Sequence, residues 1–103
     1  MSLQSYKITV EGVAELHNVS CVLEFINIVP MKPVSSKKWE GSVTDIEVNE
    51  KLDYKIIISA TGRVKFDYEI LNTKVEEKVK SDTDYTNRNI PNGAIVNGNC
   101  KAE

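Results

Sequence analysis

The stretch Asp82-Thr83-Asp84-Tyr85-Thr86-Asn87-Arg88-Asn89 holds the densest run of side-chain oxygens in the chain. Alternating oxygen donors of this kind suit a hard cation such as calcium. The run lacks the glycine and the closing glutamate of a helix–loop–helix calcium site, and Arg88 places a positive charge inside it. It therefore reads first as a solvated loop over 81–89. Within it Asp82, Asp84, Tyr85, Asn87 and Arg88 are candidate contacts for a polar ligand, because loops on a rigid scaffold are common binding positions. Trp39, which follows Lys37-Lys38, is a further candidate. An indole at a strand start can stack on a sugar or base, although most tryptophans in that setting belong to the core.

Other residue types offer less. His17 is the one histidine, beside Asn18 in an expected turn, and no Gly-x-Ser-x-Gly context supplies an activated serine. Cys21 falls on an apolar face, where a thiolate is disfavoured. The glycines at 12, 41, 62, 93 and 98 are scattered singly, so no phosphate-cradling loop is present. Cys21 and Cys100 have no metal-ligand spacing, and they read as two reduced thiols, with a single bridge as the alternative. The expectation is no catalytic residue, no metal and no cofactor.

Composition bounds the partners. Thirteen basic and fifteen acidic residues give a net charge of −2, with no basic field for nucleic acid. The apolar runs are too short for membrane insertion. Residues 1–18 carry no basic segment followed by an apolar one, which favours a cytoplasmic location. A chain of 103 residues is expected to be one domain with its own core.

The elements that must carry these residues are strands. Tyr6, Ile8 and Val10 alternate with polar neighbours, and so do Val19, Cys21, Leu23 and Phe25. A turn at His17-Asn18 would pair the two runs, with Val10 opposite Phe25 and Tyr6 opposite Val29. Tyr54, Ile56 and Ile58 precede Ala60-Thr61-Gly62, and Val64, Phe66, Tyr68 and Ile70 follow it. A three-residue hairpin loop there would set Ile56 opposite Phe66 and Tyr54 opposite Tyr68. Parity changes between Val43 and Ile46, which predicts a bulge near Thr44-Asp45. Residues 74–80 fit either a short helix opened by the capping box Thr73-x-x-Glu76 or a charged edge strand. Turns are expected at Pro91-Asn92-Gly93 and at Asn97-Gly98.

About seven short strands with at most one short helix predict an all-β fold, a two-layer antiparallel β-sandwich, with a small barrel as the alternative. Ser5–Val10 resembles the first strand of many β-sandwich lectins, a likeness of six alternating residues that implies a strand. The functional expectation is a non-catalytic binding or interaction module for an unknown protein or small ligand. A structural subunit of a larger complex is the second reading, and an enzyme ranks last.

Overall fold

The computed structural model describes residues 2–103. In chain order the strands are β1 (Ser2–Gly12), β2 (Asn18–Leu23), β3 (Asn27–Val29), β4 (Lys32–Pro33), β5 (Lys38–Val48), β6 (Lys51–Ser59), β7 (Lys65–Asn72), β8 (Glu77–Tyr85) and β9 (Gly93–Lys101). They form two antiparallel sheets, ordered β4-β5-β1-β7-β8 and β3-β2-β6-β9. The sheets pack as a sandwich, no barrel closes, and no helix interrupts the strands among the described residues. None of the described residues forms a helix long and apolar enough to cross a membrane.

Period-two alternation builds the interior. Tyr6, Ile8 and Val10 of β1 and Phe66, Tyr68 and Ile70 of β7 face Val19, Cys21 and Leu23 of β2 and Leu52, Tyr54, Ile56 and Ile58 of β6. All are buried, and each large apolar side chain contributes about 1.5–3 kcal/mol relative to exposure.

The expected hairpins do not form, although the residues they matched do face one core. β1 pairs with β5 and β7, while β2 pairs with β3 and β6. β6 pairs with β2 and β9, and β7 with β1 and β8. Apolar parity matches equally well for a strand beside its partner and a strand facing it across about 10 Å of interior. Tyr54 and Tyr68 do meet, with ring centroids 6.3 Å apart, but across the sandwich. The link at Ala60–Gly62 is an arch between sheets, with Gly62 at φ 69°. Buried Thr86 fastens it: its Oγ1 accepts from Val64 N at 2.7 Å and donates to Gly62 O at 2.7 Å.

Other local expectations divide. The bulge is where parity placed it: Val43 faces Tyr6 and Ile46 faces Gln4, leaving Thr44-Asp45 opposite Ser5. Asp45 takes φ 53° there and donates its N–H to Ser5 Oγ at 3.1 Å. The helix at 74–80 is replaced by a turn and the edge strand β8. Asn72 Oδ1 accepts from Lys74 N and Val75 N, and Glu76 sits at φ 56°, which no helix permits. The expected loop at 81–89 is strand as far as Tyr85. The turn at Asn97-Gly98 is absent, because β9 pairs with β6 without interruption from Gly93 to Lys101. Gly98 instead packs closely on the core: a Cβ there would lie 3.2 Å from Tyr54 Oη, a tight contact. The turn at Pro91-Asn92 is present, with Asn92 at φ 57°.

Candidate functional site

The residues singled out from sequence lie in two places. Trp39 is half-buried on β5, faces Val10 of β1 and donates its Nε1–H to Leu16 O at 3.4 Å. β1 and β7 separate it from β8, a span of about 14 Å at strand spacing. Asp84, Tyr85 and Arg88 come together around a notch of about 120 Å³ that also includes Ile90 and Ile95. Arg88 Nη1 pairs with Asp84 Oδ1 at 3.0 Å, and the Arg63 guanidinium lies 4.5 Å from the Tyr85 ring centre. Asn87 is a turn residue: at φ 57° it donates its N–H to Gly93 O and accepts from Asn92 N on Oδ1.

The alternating acids have a structural use. Thr83 N donates to Asp82 Oδ1 and Tyr85 N to Asp84 Oδ1, each at 2.8 Å. Each carboxylate thus caps the amide that follows it on an edge strand. No group of three or more His, Cys, Asp or Glu side chains among the described residues is placed to hold a metal ion.

A larger depression, about 530 Å³, lies on the outer face of the four-stranded sheet. Val22 and Phe25 form one side of it. Its floor is crossed by two pairs of facing residues, Asp53 with Asn99 and Lys55 with Asn97. Facing residues on neighbouring strands are about 5 Å apart, and alternate residues along a strand about 7 Å. The four polar groups therefore mark a rectangle of roughly sugar-ring size. Among the described residues none of these four side chains makes an ion pair or side-chain hydrogen bond.

Phe25 owes its place to the turn between β2 and β3. Glu24 and Phe25 both hold positive φ, 52° and 65°, a conformation costly for residues with a side chain. Glu24 is bound on both sides: its N–H donates to Asp53 O at 2.9 Å, and its Oε2 accepts from Asp53 N at 2.7 Å. These bonds fix the turn to β6 and leave Phe25 82% exposed. Parity placed Phe25 inside, opposite Val10; the chain reverses at Glu24 and puts it outside. The available signal was Phe25, Ile26 and Ile28, which span both parities and cannot share one buried face.

The titrating groups offer little chemistry. Burial pushes the Cys21 thiol up to about 12, and also raises Cys100, so neither is a thiolate near neutrality. The Tyr68 phenol is raised by burial, then by Tyr54 and the carboxylates of Asp82 and Asp84. His17 is exposed, its Nε2 2.7 Å from Thr61 Oγ1, where it joins two turns. No family model matches the chain, and no curated protein or solved structure matches it.

Proposed function

We propose that this domain is a non-catalytic binding module whose ligand sits in the depression beside Phe25, and that the ligand is a saccharide. One observation carries this reading: an aromatic ring held out in a costly backbone conformation next to four polar side chains that have no ion-pair or side-chain hydrogen-bond partner among the described residues. Rigid aromatic walls with a few placed polar groups are typical of small-ligand sites. A sugar ring offers a C–H face for Phe25. Its hydroxyls suit the donors of Lys55, Asn97 and Asn99 and the acceptors of Asp53, Asn97 and Asn99.

The test is a screen of soluble oligosaccharides followed by NMR titration of the best binder. Side-chain amides of Asn97 and Asn99 shift, and Phe25→Ala weakens binding about tenfold, equivalent to roughly 1.4 kcal/mol. Absence of binding, or shifts confined to Asp84–Ile90, would overturn the reading.

A further inference from the structure

The backbone of β9 has one satisfied side and one open side. Antiparallel pairing alternates residues that bond to the neighbour with residues that point away. Two contacts set the phase. Asp53 turns its N–H and C=O to Glu24, so Asn99 opposite it points outward. At the other end Ser59 gives its C=O to His17, and Gly93 opposite it turns to Asn87 and Ile90. Ile95, Asn97, Asn99 and Lys101 therefore direct their amide and carbonyl groups away from β6. Gly93 is already covered, and among the described residues no backbone partner meets the other four. Two groups on each of four residues leave eight open. The strand has no bulge, and it carries no charge from Gly93 to Cys100. Such an edge is a template for another strand.

We infer that the open edge of β9 pairs with β9 of a second copy of this chain, antiparallel about a two-fold axis at Gly98. The open window runs from Ile95 to Lys101, and Gly98 is its centre. In that register Asn97 meets Asn99 of the second copy and Ile95 meets its Lys101, so all eight groups are used. Identical strands repel when like charges face each other. Here the one charge, Lys101, meets an aliphatic residue, and the amides meet amides. Gly98 meets Gly98, which removes side-chain bulk at the axis. The two sheets of four strands become one of eight. The inference stands on the β9 backbone and is independent of the ligand in the depression.

The experiment is sedimentation equilibrium of the whole chain without ligand, up to about 1 mM, where even millimolar affinity registers. The chain is expected to dimerise reversibly. Asn97→Pro removes an outward N–H and no bond to β6. It should raise the dissociation constant about a hundredfold, from two lost bonds and ring bulk near the axis. Register is tested by charge. N97K/N99K sets lysine against lysine and weakens the dimer about tenfold, more at low salt, whereas N97K/N99D sets opposite charges together and tightens it. Circular dichroism checks that each variant is folded, and the tightening by N97K/N99D cannot arise from unfolding. A wild-type chain that stays monomeric overturns the inference and leaves the edge to a foreign strand. A dimer indifferent to these substitutions, or weakened equally by both charge pairs, overturns it as well.

Discussion

β8 and β9 each end a sheet, each is nine residues long, and the two lie near each other in the sandwich. They treat their outer edge in opposite ways. β8 has a bulge where Ile70 faces Lys80 and Leu71 faces Lys78, so Val79 has no partner. It carries Glu77, Lys78, Lys80, Asp82 and Asp84, and two of its amides are capped by its own aspartates. β9 has neither bulge nor cap, and its only charge is at the end. Charges, bulges and lost donors are the ordinary defences of an edge against foreign strands. The two edges of one molecule thus differ in bulge, in charge and in capped amides, the features that discourage strand addition.

The contrast can be broken first at the anchor of β9. Asn72 is fully buried; its Nδ2 donates to Ala102 O at 2.9 Å and to Gln4 Oε1 at 3.0 Å, and its Oδ1 accepts two turn amides. Tyr6 Oη also donates to Ala102 O, at 2.7 Å. Asn72→Leu strands several of these groups and should cost about 3 kcal/mol in urea unfolding. A loss below about 1 kcal/mol would mean that water replaces the amide at this junction.

Next comes the flatness of β9. Gly98→Ala pushes a methyl toward Tyr54 Oη and should cost about 1 kcal/mol. With Tyr54→Phe the hydroxyl is gone, and the same change should become neutral or slightly stabilising, since alanine restricts the unfolded chain. If the double-mutant cycle shows no coupling, contact with Tyr54 is not why glycine stands there.

The smallest effect on stability is expected on β8. D82A/D84A uncaps the Thr83 and Tyr85 amides and should change stability by no more than about 0.5 kcal/mol. It should add a second, concentration-dependent association in light scattering. A variant whose association is unchanged would show that the bulge and lysines protect β8 without the aspartates.

The sequence carried the fold class and individual strands, because period-two burial is written in every second residue from Tyr6 to Val10 and from Leu52 to Ile58. The bulge at Thr44-Asp45 was legible for the same reason, as a change of parity. Strand partners were not. Ile56 and Phe66 look like a hairpin pair in sequence because both face one core, and parity cannot tell beside from across. The site was less legible still. Asp82 and Asp84 read as loop residues, and their use in capping the amides of an edge strand is visible only once β8 has formed. Phe25 resembles a core residue until the reversal at Glu24 turns it outward. Asn97 resembles a turn residue and Asn99 the start of a returning strand, and the two become part of one floor only once β6 lies beside them.

The arches between sheets also set an order of assembly. β1 is bonded on one side by β5 and on the other by β7, so its apolar face waits for residues as far along as Asn72. The hairpins β2–β3, β4–β5 and β7–β8 are the local pairings, and the first two involve very short strands. Folding must therefore close long loops before most of the sheet contacts form, the situation of slow, milliseconds-to-seconds folders. During synthesis, at roughly 5–20 residues per second, Tyr6, Ile8 and Val10 spend seconds without their final neighbours. The aspartates and lysines of β8, made after both partners of β1, then have a task during folding as well: they discourage that edge from pairing with another chain while the long loops are still closing.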